Sequence, residues 1–329
     1  MAATVFRRSH ELTNVEILDL RHFASGDLRR LLDEEVEVWG SRLHWDYRSS
    51  ADMILRYVDA KILPGYAAVE RGSIIGYSFF VYESSKGVVG DMFVSPRRHD
   101  VQQLEAQLST HVIATLQQSP GIHRVEAQLL THETGAFAPV FASSGFARYR
   151  RLFLALPLQG PGSLRMQPVR LPDDIHIRYW LDQDYQAAAS IITTAYRGHI
   201  DSEINDQYRT HAGSVRFLNN IVRFPGCGVF DAEASFSAVH RATNSIVGLI
   251  LCSRVRDDVG HITQVCLLPE YRGKGIGENL IAATGNSLRN RRFGMLSLTV
   301  TEMNEHAVEL YKKLGFRETR VFDAFVWEG

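Results

Sequence analysis

The fold of this chain is decided by the stretch Leu268–Pro269–Glu270–Tyr271–Arg272–Gly273–Lys274–Gly275–Ile276–Gly277. An apolar strand pattern precedes it and a helical pattern follows it. Glycine tolerates positive φ and lets a ligand approach the backbone closely. The first turn of a helix adds unpaired amides and the positive end of its dipole, which together bind anions. The stretch therefore predicts a pyrophosphate cradle, with Arg272 and Lys274 adding positive charge at its rim.

Two other glycine-rich motifs do not fit this stretch. A dinucleotide-binding loop needs GxGxxG after an early parallel strand, and the spacing here differs. A Walker loop needs Gly-Lys followed by Ser or Thr, whereas Lys274 is followed by Gly275. From these residues alone, an ordinary glycine turn before a helix remains the alternative interpretation.

A second motif lies about thirty residues further on and reads NEHAVELYKKLGF. Together with PEYRGKGIGENLI it resembles the GCN5-related N-acetyltransferase (GNAT) family, over roughly residues 170–329. The resemblance implies an acetyl-CoA-dependent N-acetyltransferase in which the loop amides hold the CoA pyrophosphate. It also implies that the preceding strand splays from its neighbour and pairs with the pantetheine arm. The residues it implies for the coenzyme site are Val265, Cys266, Leu267, Arg272, Gly273, Lys274, Gly275, Ile276, Gly277, Glu278, Asn304 and Tyr311.

Two catalytic roles follow from the same resemblance. Tyr311 holds the position of the family's proton-donating tyrosine, and a phenol with a pKa of about 10 is protonated at neutral pH. The Leu267 amide is the candidate donor to the thioester oxygen as that oxygen becomes negative. Periodicity alone favours the alternative that Tyr311 is a packing residue on an amphipathic helix.

No general base is assigned. Thr299 stands where some family members place a glutamate, and it cannot abstract a proton. Glu302, Glu270 and His261 are interpreted as surface residues or caps. Cys266 lies in an apolar strand without an activating neighbour, so a packing role is expected.

The order of elements repeats on either side of the segment Pro157–Ser163. Ser73–Gly76 matches Ser245–Gly248, and each half closes with a helix that ends in Gly-Phe and is followed by a strand. The predicted class is α/β (α+β mixed): two tandem GNAT-like domains, each with a mixed, mostly antiparallel central sheet flanked by helices. The expected boundaries are a first domain at 1–157, a linker at 158–172 and a catalytic domain at 173–329. The predicted helices after the proline-ended strands are Val101–Leu116 and Gly275–Arg289.

The first of these units is expected to be degenerate. Its matching loop, Pro96–Gln102, has no glycine, and Phe141 occupies the place of Tyr311. It is therefore predicted neither to bind CoA in the usual way nor to catalyse, but to support the second unit and shape the acceptor pocket. The expected acceptor-pocket residues of the second unit are Tyr196, Arg197, His199, Asp201, Glu203 and Tyr208.

Composition limits the partners. The 329 residues carry a net charge of -1, which does not favour nucleic acid or an anionic membrane. The sequence has three cysteines, Cys227, Cys252 and Cys266, and their spacing is not that of a metal site, so no metal is expected. Few cysteines, and residues 1–14 without a leader pattern, predict a cytoplasmic location. The expected partner is an amine-bearing substrate, a small molecule rather than a protein. Acceptor identity, acyl length and oligomeric state are left open, and a non-catalytic CoA-binding or interaction module is the alternative function.

Overall fold

The computed structural model describes residues 15–160, 167–223 and 228–329. Part of the predicted linker (161–166), Cys227 and the N-terminal segment judged for a leader lie outside the described residues. We call the residues up to Pro157 the first half and those from 173 onward the second half.

The first half begins with a strand and two helices, continues with consecutive antiparallel strands and ends with strands that alternate with helices. Its strands are β1 (Val15–Asp19), β2 (Gly65–Glu70), β3 (Ser73–Glu83), β4 (Lys86–Val94), β5 (Arg124–Gln128) and β6 (Ala147–Pro157). Its helices are α1 (Ser25–Leu43), α2 (Arg48–Asp59), α3 (Val101–Gln118) and α4 (Ala138–Ser143).

The second half follows the same plan. Its strands are β7 (Ile175–Tyr179), β8 (Val229–Phe230), β9 (Phe236–His240), β10 (Ser245–Arg256), β11 (Val259–Leu267), β12 (Met295–Thr301) and β13 (Arg317–Glu328). Its helices are α5 (Tyr185–Ala195), α6 (Ile200–Ile204), α7 (His211–Val222), α8 (Ile276–Asn290) and α9 (Glu305–Lys313), and a short 3-10 helix spans Asp206–Tyr208.

All strands of the described residues join one sheet, because the halves exchange their last strands. The order is β1-β2-β3-β4-β5-β13-β6-β12-β11-β10-β9-β7, with β8 on β10. Strand β13 pairs antiparallel with β5 and β6, and β6 pairs antiparallel with β12. Each half thus completes the sheet of the other.

The mixed class with a mostly antiparallel sheet flanked by helices is confirmed, and only the β4–β5 and β11–β12 pairs described here are parallel. Helix α8 packs on the sheet through its apolar residues Ile276, Leu280 and Leu288, which are fully buried. Gly315 ends the last turn after α9 with φ +93°, which turns the buried Phe316 back into the core. The domain boundaries stay a prediction. Within the described residues, no helix is both long and apolar enough to cross a bilayer.

Candidate active site

A cavity of about 1010 Å³ opens where β11 and β12 separate. The parallel pairing of these two strands runs from Val259↔Met295 to Ile262↔Leu298, although both strands continue beyond it. The glycine-rich loop and the start of α8 lie on the cavity, and so do residues of the first half. The splay that the family resemblance implied is therefore present.

The free edge of β11 presents backbone amides to the splay. Leu268 N, just after β11, donates to Val247 O on β10 at 2.9 Å. Because alternate residues of a strand face opposite edges, the amides of Val265 and Leu267 face away from β10. Val265 N donates to Gln264 Oε1 at 2.9 Å. The Leu267 amide thus faces the splay, which is where a donor to the thioester oxygen is expected.

The glycine loop has the backbone geometry of an anion cradle. Gly273 and Gly275 have φ of +71° and +74°. Asn279 N donates to Gly275 O at 3.1 Å, which leaves the amides of Ile276 and Gly277 ahead of the first helical bond. A Cβ at Gly273 would meet no atom within 4 Å, so the loop surface is open there.

Most of the implied coenzyme residues line this one cavity. They are Val265, Cys266, Leu267, Arg272, Gly273, Gly275, Gly277, Glu278, Asn304 and Tyr311. Lys274 and Ile276 do not line it: Lys274 Nζ lies 5.2 Å above the Tyr271 ring, and the Ile276 side chain is in the core. Their predicted roles rest on backbone amides.

The loop is braced by its charged and polar neighbours. Arg272 Nη2 donates to Ala195 O at 2.6 Å, which ties the loop to α5. Lys313 Nζ donates to Glu278 Oε1 at 2.7 Å, which links α8 to α9. Asn304 is the N-cap of α9 and accepts from Ala307 N. These contacts fix the loop and the tyrosine helix relative to each other.

Tyr311 is buried and lines the cavity. Burial raises the pKa of its phenol, and the Asp201 carboxylate raises it further. Among the described residues its hydroxyl has no hydrogen-bond partner. Phe316 N donates to Tyr311 O at 3.0 Å, and Phe146 N donates to Phe141 O at 3.1 Å in the same turn of the first half. This shared turn agrees with the alignment of Phe141 to Tyr311.

The predicted acceptor residues divide into two groups. Tyr196, His199, Asp201 and Tyr208 line the cavity, and Tyr196 stacks on Tyr208 with ring centroids 4.4 Å apart. Glu203 instead pairs with Arg209 at 2.8 Å, on the exposed side of α6. Arg197 is exposed and does not line the cavity.

Sequence reasoning missed several residues that line the cavity from the first half. They are Trp45, Val88, Val89, Gly90, Glu126, Ala127, Gln128, Leu130 and Arg151. No local motif marks them, because the shared sheet, with its exchanged strands, brings them to this place.

The interpretation of His261 as a surface residue or cap is wrong. It is 5% exposed, because β11 runs through the interior at this point. Its Nδ1 lies 2.9 Å from Ser297 Oγ, and burial lowers its pKa to about 4. The imidazole is therefore neutral at physiological pH.

Burial also raises the pKa of the Cys266 thiol to about 12, which keeps it unreactive.

In the first half, buried side chains bond one another at the position that corresponds to Gln264 on the cavity wall. Asp91, which precedes Pro96 as Gln264 precedes Pro269, accepts from Tyr47 Oη at 2.8 Å. The loop arginines are already paired: Arg98 bonds Glu70 and Asp100 at 3.0 and 2.7 Å, and Arg97 lies 3.5 Å from Glu34. These arginines are held by carboxylates of the protein itself.

Comparison with known proteins agrees with this geometry. Residues 200–316 match the Acetyltransferase (GNAT) family. The mycothiol acetyltransferase of Thermobifida fusca is 35% identical over 193 residues, which are 53% of this chain and 56% of that protein. The N-alpha-acetyltransferase of Saccharolobus solfataricus is 34% identical over 71 residues, 21% of this chain and 42% of that protein. The chain thus spans about half the length of the curated relatives it matches.

Two solved structures share the fold over nearly the whole chain. A GCN5-related N-acetyltransferase from Sphaerobacter thermophilus has a TM-score of 0.65 at 17% identity and covers 95% of both chains. A tandem GNAT protein from the clavulanic acid biosynthesis pathway has a TM-score of 0.60 at 14% identity, over 96% of this chain and 98% of that one. The fold is the one these GNAT proteins share. The segment that matches the acetyltransferase family model, residues 200–316, contains both the glycine loop and Tyr311.

Proposed function

We propose that this protein is an N-acetyltransferase that moves the acetyl group of acetyl-CoA to a primary amine by direct attack. The splay between β11 and β12 is the observation that carries the proposal, because it opens a channel between the glycine loop and Tyr311. A bound thioester would lie along that channel. The amine is a small molecule in this proposal, since residues of both halves line the cavity.

The coenzyme would be held by the backbone. The loop amides from Gly273 to Glu278 suit a diphosphate, because positive φ at two glycines turns successive N–H groups toward the helix start. The free edge of β11 suits an extended pantetheine arm. Arg272 is committed to Ala195 O and supports the loop as well as adding charge.

The reaction needs one proton to leave nitrogen and one to reach sulfur. The neutral amine attacks the thioester carbon, and the oxygen that becomes negative accepts from Leu267 N. The carbon–sulfur bond then breaks, and Tyr311 supplies a proton to the sulfur. The nitrogen releases its proton to water, and a proton from water returns Tyr311 to its neutral form, so no net proton is gained or lost. No base is assigned.

The first half neither binds CoA nor catalyses in this proposal. Its glycine-free loop, paired arginines and Phe141 support that division of labour. It supplies walls of the acceptor pocket through Trp45, Glu126 and Arg151.

Calorimetry with acetyl-CoA and a free-thiol assay over a panel of amines test the proposal. We expect heat of binding and amine-dependent thiol release. Binding without thiol release for every amine would establish the non-catalytic module instead. Absence of binding would show that the glycine loop is not a coenzyme site.

A further inference from the structure

Gln264 carries a buried donor without a partner. Its side chain is 4% exposed, and its Oε1 accepts from Tyr196 Oη at 2.7 Å and from Val265 N at 2.9 Å. Since two donors converge on that atom, it must be the oxygen, and the amide group cannot be flipped. Gln264 Nε2 is then left buried and unpaired among the described residues. An unsatisfied buried donor destabilises the protein, and a ligand's acceptor atom would remove that cost.

Arg151 is the second under-used donor. It comes from β6 of the first half, and its side chain is 12% exposed. Its Nη2 donates to Thr299 Oγ1 at 3.3 Å, its Nη1 lies 3.8 Å from Asp201 Oδ1, and its Nε is buried without a partner. A guanidinium is always charged and has five donors in a planar fork that fits a carboxylate. One weak bond and one long ion pair leave most of that capacity free.

Both groups lie on the same wall of the cavity. Leu298 and Val300 pack in the core beneath α8, so Thr299 between them faces the other side of the sheet, and Arg151 bonds it there. Tyr196, which follows α5, holds Gln264 on that same side. Both residues line the cavity.

A carboxylate stands beside these two donors. Asp201 Oδ1 accepts from Thr301 Oγ1, and Asp201 Oδ2 lies 3.5 Å from His199 Nδ1. The 3.8 Å between Arg151 Nη1 and Asp201 Oδ1 puts a positive and a negative site next to each other. A ligand that satisfies both carries an amine and a carboxylate close together, as on the single α-carbon of an amino acid.

We propose that the acceptor is a free α-amino acid, bound through its carboxylate to Arg151 and Gln264 Nε2 and through its amine beside Asp201. This inference rests on the proposed acetyl transfer and names its substrate class. It excludes the N-terminus of a peptide, whose first residue has no carboxylate next to the amine.

Matched acceptors test the proposal: an α-amino acid, its carboxamide and the corresponding decarboxylated amine, for several side chains. Wild type should prefer the free acid in kcat/KM by at least about tenfold, the ratio one charge-assisted hydrogen bond supplies. Arg151→Met should bring the three acceptors within about twofold of each other. Gln264→Glu keeps both accepted bonds but turns the free donor into a charged oxygen, and should abolish the preference.

Arg150→Met is the matched control. Arg150 is the preceding residue of β6, so it faces the other side of the sheet, where it pairs with Glu302 at 3.3 Å. It should keep the wild-type preference. Calorimetry of the free amino acid with CoA present gives a readout that needs no turnover, and its Kd should rise in Arg151→Met but not in Arg150→Met.

The outcomes separate the two proposals. If acid, amide and amine are acetylated equally by wild type, the α-amino acid assignment is overturned and the acetyltransferase stands. Equal amino acid affinity in wild type and Arg151→Met overturns it as well. If no amine of any class releases thiol, the proposed function fails first, and this inference fails with it.

Discussion

Burial governs the chemistry of Tyr311. A phenol removed from water resists ionisation, and the nearby Asp201 carboxylate adds to that resistance, so its pKa lies above the ordinary value of 10. Tyr311 therefore keeps its proton until a thiolate forms beside it. We expect Tyr311→Phe to lower kcat by about a hundredfold, the lower end of general-acid effects, because the donor is a weak acid. Steady-state kinetics with calorimetry of acetyl-CoA should show an unchanged Kd.

Tyr179→Phe is the control for this change, because Tyr179 is 59% exposed on β7 and away from the cavity. It should leave kcat within about twofold, as surface changes usually do. Full turnover by Tyr311→Phe would show that the phenol only packs.

Gly277 offers a test of the cradle that does not disturb the fold. Its φ is not positive, and an added Cβ would meet Leu267 Cδ1 at 3.8 Å, an ordinary contact. Aspartate at the second position of a helix is favoured by the dipole. Gly277→Asp should therefore fold, yet raise the Kd for acetyl-CoA at least about tenfold, because its charge opposes the phosphates.

An aspartate at the second position of a helix in the first half controls for effects on the helix itself. Gln102 is the second residue of α3 and is exposed. Gln102→Asp should leave the Kd unchanged in the same titration. A Gly277→Asp protein that binds acetyl-CoA as tightly as wild type would place the diphosphate elsewhere.

At the scale of elements, a buried ion cluster fixes the segment that carries acceptor residues. Lys86 Nζ on β4 bonds Glu126 at 3.0 Å and Asp206 at 2.6 Å. Burial works to lower the pKa of Lys86, but the carboxylates outweigh it and the pKa is raised. The contribution of Lys86 to the stability of the fold is therefore fully present below pH 10.5. That contribution is lost above pH 10.5, as the pH rises through the folded pKa of Lys86.

Lys86→Met removes the cation that Glu83, Glu126 and Asp206 share and leaves three carboxylates close together. The free energy of unfolding should fall by about 3 kcal/mol, as for other broken buried pairs. The Asp206–Tyr208 helix should loosen, so the KM for the amine should rise while the Kd for acetyl-CoA stays constant. Denaturant unfolding and kinetics measure both, and Arg256→Met, in an exposed pair, should change neither. Equal rises in KM and Kd would contradict this role.

The sequence predicted most elements and the loop because their signals are local. The helices predicted at Val101–Leu116 and Gly275–Arg289 are found at Val101–Gln118 and Ile276–Asn290. The exchange of β6 and β13 was not predictable in the same way. Both strands follow a Gly-Phe turn and both contain apolar residues. Each could therefore pair with the preceding strand of its own half, which is β5 for β6 and β12 for β13. Which strands pair depends on contacts across the whole chain. The position of Arg151 in the cavity depends on the same pairing.

At the scale of the molecule, the first half contains a buried pair of carboxyl groups. Glu35 is fully buried beside Asp91, and each accepts from a tyrosine, Tyr77 Oη at 2.7 Å and Tyr47 Oη at 2.8 Å. Burial, and then the charge of Asp91, raise the pKa of Glu35 well above its ordinary 4.5. Asp91 also accepts from Met92 N, which favours its charged form, so we expect the proton of the pair on Glu35.

The sign of the resulting pH dependence follows from linkage. A carboxyl whose folded pKa is raised stabilises the fold fully below its unfolded pKa, and that contribution is lost as pH rises through the folded pKa. Glu35→Gln imitates the protonated form, so its unfolding free energy should exceed that of wild type increasingly toward alkaline pH. The gap should grow by up to about 1.4 kcal/mol per pH unit between the ordinary pKa of 4.5 and the raised folded pKa, and should level off above the folded pKa.

Denaturant unfolding from pH 6 to 9 measures this gap. Asp91→Asn is the matched variant, and it should destabilise at every pH because the amide cannot accept from Met92 N, Tyr47 and Glu35 together. Parallel pH profiles for wild type and Glu35→Gln would mean that Glu35 does not hold a proton.

The exchanged strands also make the two halves depend on each other. Strand β6 lies between β13 and β12, and β13 lies between β5 and β6, so each half leaves an open sheet edge without the other. Arg151 and Glu126 would also be lost from the cavity of an isolated second half. Fragments 1–163 and 164–329, divided within the predicted linker, should therefore co-purify when co-expressed and should acetylate amines together. Each fragment alone should aggregate or be inactive, because its unpaired edge and apolar face are exposed. A soluble fragment 164–329 with wild-type kcat/KM would show that the exchange contributes nothing to the site.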